Sequence, residues 1–160
     1  MKASDAKSPK YNSSRQSLAQ WVLAERPRSP AITNAAHALE AVVGDLTTPN
    51  GWVLPAERLV VVALDRKGRV LDKAVLATGS DRWVVFDTRH ILRWAFRCEA
   101  ESILVAHNHP DGDPEPSAED VAVTRKLASQ CQILDVRLLD HLVIGDSQCY
   151  VSMLERGLFG

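Results

Sequence analysis

The sequence predicts an α/β domain with helices packed on a mixed sheet, and three observations predict it. Short runs rich in Val, Leu and Ile at residues 58–64, 70–77, 102–107 and 137–145 read as strands. Longer runs at 88–100 and 117–131 carry apolar residues at helical spacing. The two kinds follow one another without a regular strand–helix–strand beat, which favours a three-layer or α+β arrangement over a doubly wound parallel sheet.

In chain order, residues 1–14 are rich in Lys, Ser and Asn and have almost nothing to bury, so a disordered basic tail is expected. Leu18, Trp21 and Val22 predict a short helix to Glu25, which Pro27 and Pro30 stop. Ala35, Leu39, Val42 and Val43 mark a second amphipathic helix ending near Gly44. The Thr-Thr-Pro-Asn-Gly segment at 47–51 is a turn-forming linker and the best boundary. The chain then divides into a tail (1–14), a helical segment with linker (15–50) and a main domain (51–160).

Within that domain, 58–64 is a buried strand, 65–69 a polar turn and 70–77 its hairpin partner. Residues 83–86 form a short strand or a crossing segment. The helix at 88–100 sets Ile91, Leu92, Ala95 and Phe96 on one face. A final strand is expected at 148–151. The four tryptophans, Trp21, Trp52, Trp83 and Trp94, are scattered and read as core and lid packing rather than a base-stacking platform.

Composition removes several function classes. The 160 residues suffice for one compact domain with a sizeable core. Net charge is −1, but residues 1–30 hold six Lys/Arg against two acids, a stretch read as solvated, with nucleic acid as the alternative partner. Cys98, Cys131 and Cys149 contain no Cys-x-x-Cys, which argues against a disulfide framework and a thiolate zinc cluster. The longest purely apolar run, 59–64, is too short to span a bilayer, and no signal-peptide pattern opens the chain, so no membrane contact and a cytoplasmic location are expected.

The chemistry is concentrated at 106–120, Ala-His-Asn-His-Pro-Asp-Gly-Asp-Pro-Glu-Pro-Ser-Ala-Glu-Asp. His107 and His109, at the end of a strand, point to the same side because side chains alternate. Ser117 is placed to open a helix, and Asp120 falls on its first turn. Two imidazoles and one carboxylate then converge with a fourth position open, as a catalytic zinc is held. A plain N-cap, with Ser117 capping and Asp120 as a first-turn acid, is the structural alternative and is compatible with the metal reading.

His107-Asn-His109-Pro-x-Gly-Asp with Pro116-Ser117-x-x-Asp120 resembles the JAMM (MPN-type) metalloprotease signature, and among its branches it is most similar to the RadC family. Ile103-Leu-Val-Ala-His-Asn-His-Pro, Val136-Arg-Leu-Leu-Asp-His-Leu-Val-Ile-Gly145 and Tyr150-Val-Ser152 carry the likeness across residues 52–160. The resemblance implies a cytidine-deaminase-like three-layer JAMM/MPN fold, a mixed curved sheet flanked by helices. It implies one Zn2+ per chain on His107, His109 and Asp120, with water as fourth ligand. It also implies a general-base glutamate at the start of the first core strand, here Glu57, with Glu101, which also precedes a strand, as the competitor.

Two stretches depart from the family pattern. Asp111 stands where the family usually has Ser, adding a carboxylate beside the site, and Asp87-Thr-Arg-His90 replaces the usual His-Pro-Arg-Glu. Full-length relatives also carry a helix-hairpin-helix domain, and the roughly fifty residues ahead of the core, poor in Gly-turn pattern, are expected to hold no clear one.

On this reading zinc activates water, Glu57 relays the proton and Ser117 donates to the oxyanion, cleaving a peptide, isopeptide or small amide. The alternatives are a DNA-repair or recombination role on or with DNA, which would show as salt-dependent binding lost with residues 1–30, and a non-catalytic interaction module. His141 reads as a packed strand histidine or as one that orients a ligand, and stays outside the site. His37 and His90 read as surface residues.

Overall fold

The computed structural model describes residues 30–79 and 87–160. The expected tail, the helix to Glu25 and the segment 83–86 lie outside the described residues. The elements run α1 (Ala35–Leu46), β1 (Arg58–Leu64), β2 (Val70–Thr78), α2 (Thr88–Arg97), β3 (Ser102–Asn108), α3 (Ala118–Ile133), β4 (Arg137–Ile144) and β5 (Tyr150–Ser152).

One five-stranded sheet has the order β2-β1-β3-β4-β5. β1 is antiparallel to β2 and β3, β3 is parallel to β4 through the α3 crossover, and β5 closes antiparallel on β4. Central β1 and β3 are buried almost throughout, as their unbroken apolar runs require when both faces are covered. On one face Leu59, Val61, Ile103 and Val105 pack with Ile91, Leu92 and Ala95 of α2 and with Leu127 and Cys131 of α3. On the other, Val60, Val62, Leu64, Leu104 and Ala106 pack with Ala35, Ala38, Val42 and Leu46 of α1. The result is the three-layer mixed α/β arrangement expected, with α1, ahead of the 47–51 turn, supplying one outer layer.

Several local expectations change. α1 runs through Gly44, where an added Cβ would meet nothing, and ends at Leu46 on the Thr47 cap. Its buried stripe is Ala35, Ala38, Val42 and Leu46, while Leu39 and Val43 are half-buried. α2 stops at Arg97, before a left-handed Glu99, and Phe96 is half exposed rather than in the core face. Asp87 is the α2 N-cap, accepting from the Arg89 N–H, which gives the departing Asp87-Thr-Arg-His90 segment a structural role. Trp52 is 72% exposed, so it is no core residue, whereas Trp94 packs partly against the α2/α3 layer. His37 and His90 are exposed as expected. Cys131 is buried, and Cys98 caps α2. No helix among the described residues is long and apolar enough to cross a membrane.

Candidate metal centre

The site forms at the C-terminal end of β3. His107 has the parity of Ile103 and Val105, so it faces α3, and it is fully buried. His109 follows on the same side, where the chain leaves the sheet. The turn after it is closed by the Gly112 N–H donating to the His109 carbonyl (3.0 Å), with Gly112 at φ +85°. Asp111, the extra carboxylate, is exposed and accepts from the Asp113 N–H at 3.2 Å, so it shapes this turn.

α3 then begins with a capping box. Ser117 Oγ accepts from the Asp120 N–H at 3.1 Å, and Asp120 Oδ2 accepts from the Ser117 N–H at 2.8 Å. The Ser117 hydroxyl also donates to Asp120 Oδ2 at 2.6 Å. The cap therefore fixes the Asp120 carboxylate, and the structural and metal readings of these two residues are one arrangement.

His107 Nε2 and His109 Nε2 lie 3.0 Å apart. His107 Nε2 is 3.4 Å from Asp120 Oδ1, and His109 Nε2 is 3.4 Å from Asp120 Oδ2. Ligand atoms held ~2.05 Å from a tetrahedral zinc stand about 3.3 Å from one another. The two nitrogens stand near that spacing and each meets a different oxygen of Asp120, so the three are a metal-competent group among the described residues. His109 Nδ1 donates to the Asp113 carbonyl at 2.8 Å, which leaves the lone pair on Nε2, facing the centre.

Electrostatics agree. Burial pushes the Asp120 carboxyl up, but contacts with His107 and His109 and the Ser117 hydroxyl outweigh it and hold the group far below the usual carboxylate range. Asp120 raises the pKa of His109, burial opposes this, and the Asp113 carbonyl and the negative charge of Glu57 add to the rise. Asp120 is thus ionised at neutral pH, and its negative charge beside two imidazoles suits a cation.

Glu57 and Glu101 fall at opposite ends of the sheet. Leu59 pairs with His107, so Glu57, just before β1, lies at the site end. Glu101 precedes Ser102, which pairs with Leu64, roughly 20 Å along β3 at about 3.3 Å per residue. The Glu101 side chain meets Arg66 at 3.6 Å there. The competitor is therefore not at the site.

Two features of the centre were not assigned from sequence. Asn108 turns to the α1 face, where its amide donates to the Leu54 and Ala56 carbonyls at 3.0 and 3.1 Å and its Oδ1 accepts from the Arg58 N–H at 2.8 Å. It thereby anchors the segment carrying Glu57. His141, left outside the site, is hydrogen-bonded through Nε2 to His107 Nδ1 at 2.8 Å and through Nδ1 to Thr124 Oγ1 at 2.6 Å. Burial, followed by the neighbouring His107, holds the His141 pKa well below its ordinary value. The only sequence signal was the polar Asp-His pair in an apolar strand.

A largely buried His-His-Asp group at the end of the central parallel strand pair, in a three-layer mixed α/β fold, defines a JAB/MPN-type domain with a metal-competent site. Residues 32–158 match the family model described as RadC-like JAB domain, and the chain belongs to the RadC family. It is 35% identical over 130 residues to the UPF0758 protein ABC2615 of Shouchella clausii, covering 81% of this chain and 54% of that protein. It is 43% identical over 105 residues to a UPF0758 protein of Roseiflexus castenholzii, covering 66% and 45% respectively. A UPF0758 protein of Methanococcoides burtonii is 38% identical over 115 residues, covering 72% and 50%. The chain spans about half the length of these curated relatives.

Proposed function

We propose that this domain is a zinc-dependent hydrolase of JAMM type that cleaves an amide bond in a peptide, an isopeptide or a small amide. One observation carries the reading: the two Nε2 atoms and the Asp120 carboxylate converge at 3.0–3.4 Å, with His107 and Asp120 buried and the carboxylate ionised. His107, His109 and Asp120 hold the cation. When bound, the cation polarises a substrate carbonyl and lowers the pKa of water. Glu57 accepts the proton of the attacking water on its carboxylate and returns it to the leaving nitrogen. Its support is its place before β1, close enough for its charge to raise the His109 pKa. Ser117 donates to the developing oxyanion. A hydroxyl hydrogen rotates, so the one that here points at Asp120 Oδ2 can turn to a carbonyl oxygen.

Elemental analysis of protein purified without chelator or affinity metal tests the centre. About one zinc per chain, absent from His109→Ala, is expected, whereas no zinc even after add-back would replace the hydrolase with a metal-free interaction module. On a panel of amide and isopeptide substrates, Glu57→Gln should keep its zinc and lose about 100-fold or more in turnover. Full turnover in that variant would remove Glu57 from the mechanism.

A further inference from the structure

We propose that His141, held by Thr124 and Met153, is a positioning residue that fixes the tautomer of His107 and aims its Nε2 lone pair at the point shared with His109 and Asp120. The inference rests on the metal reading above for its purpose, and on hydrogen-bond geometry for its content.

All four side chains are at most 2% exposed, so the contacts among them are screened from water. His107 Nδ1 and His141 Nε2 lie 2.8 Å apart with ring centroids at 4.9 Å and planes at 62°, an in-line hydrogen bond with one proton between two nitrogens. On its far side His141 Nδ1 meets Thr124 Oγ1 at 2.6 Å. The Thr124 hydroxyl in turn donates to Met153 Sδ at 3.7 Å. A thioether carries no hydrogen, so this last contact gives the chain a direction. Thr124 spends its hydrogen on Met153 and accepts from His141 Nδ1–H. His141 Nε2 then holds a lone pair and accepts from His107 Nδ1–H. His107 Nε2 is left as the unprotonated nitrogen, facing the centre.

The opposite polarity would put a proton on His107 Nε2, where a cation would have to displace it. Ligating histidines are oriented in this way by the partner of their second nitrogen, and loss of that partner costs about 10–100-fold in metal affinity. His109 uses a backbone carbonyl, that of Asp113, for the same purpose.

The fold brings these partners together through one irregularity. From Leu138, on the α2/α3 face, strict alternation would turn His141 toward α1. β4 instead carries one extra residue against β3: Ile103 stands opposite Leu138, but Leu104 stands opposite Asp140. The parity reverses, and His141 joins Val143 on the face that α3 covers. Thr124 lies one helical turn after Asp120, so α3 presents the carboxylate and the Thr124 hydroxyl on one side.

The test uses the full chain. Long-range 15N–1H spectra of the metal-free protein should show the proton shared between His107 and His141 on His107 Nδ1, and that of His141 on its own Nδ1. Zinc affinity, from competition with a chromophoric chelator, should fall about 10–100-fold in His141→Leu and Thr124→Val should weaken it less. His141→Gln, whose amide oxygen can accept from His107 Nδ1–H, should restore most of it. A His107 proton on Nε2 in the wild-type protein, or unchanged affinity in His141→Leu, would overturn the proposal. Should His141→Leu not fold, the Thr124→Val and His141→Gln variants decide the affinity arm. If the wild-type chain takes up no zinc, the metal reading fails, while the metal-free spectra still decide the tautomer.

Discussion

Asn108 Oδ1 accepts the backbone N–H of Arg58 at 2.8 Å, which ties the end of β3, between His107 and His109, to the residue that follows Glu57. The same side chain donates to the carbonyls of Leu54 and Ala56 on the other side of Glu57, so Glu57 and the histidine motif share one support.

Asn108→Asp should keep the bond to Arg58 and turn a carboxylate oxygen toward the Leu54 and Ala56 carbonyls. The expected cost is about 2–4 kcal/mol from lost and opposed buried hydrogen bonds. Urea unfolding measures it. Because His107 and His109 lie on the other face of β3, zinc stoichiometry should stay at that of the wild type. An unchanged unfolding midpoint would show that the anchor is dispensable.

His109 predicts opposite pH responses for metal-free and zinc-loaded protein. Its pKa is raised, chiefly by Asp120. In the metal-free protein the protonated ring therefore contributes stability that is fully present below the unfolded value of about 6.5, and lost as pH rises through the folded value. A cation competes with that proton, so zinc affinity should strengthen over the same window. Thermal unfolding with and without chelator, scanned from about pH 5.5 to 8.5, should give melting curves that converge toward low pH. A zinc-dependent increment independent of pH would separate His109 from the metal.

Gly145 follows β4 where the metal loop crosses it. A Cβ there would run into the Gly112 carbonyl oxygen and press on Pro114 Cδ at 3.0 Å. Gly145→Ala should displace the loop whose Asp113 carbonyl orients His109, costing about 1–3 kcal/mol and weakening zinc uptake. Denaturant midpoints and the chelator competition read the two effects. Wild-type values for both would mean that the loop yields freely.

Much of this was legible along the chain. β1 was read at its observed bounds because an apolar run between polar segments has few alternatives. The motif gave His107, His109 and Asp120 because their convergence depends on local geometry, a strand end, a turn and a capped first helical turn. Phe96 is half exposed although its spacing sets it on the apolar face, because helical periodicity finds such a face without showing how far the neighbouring layer extends over it.

By itself the sequence determined the α/β class, the order of the elements and a cluster of three metal-competent side chains. Each of these follows from period, turn chemistry or spacing within about fifteen residues. The position of Glu57 at the site end of the sheet and of Glu101 at the other, the grip of Asn108 and the place of His141 were decided by tertiary structure alone. They depend on strand register, and the one extra residue in β4 that sends His141 to the α3 face is visible only against β3, which pairs with it across more than thirty positions of chain.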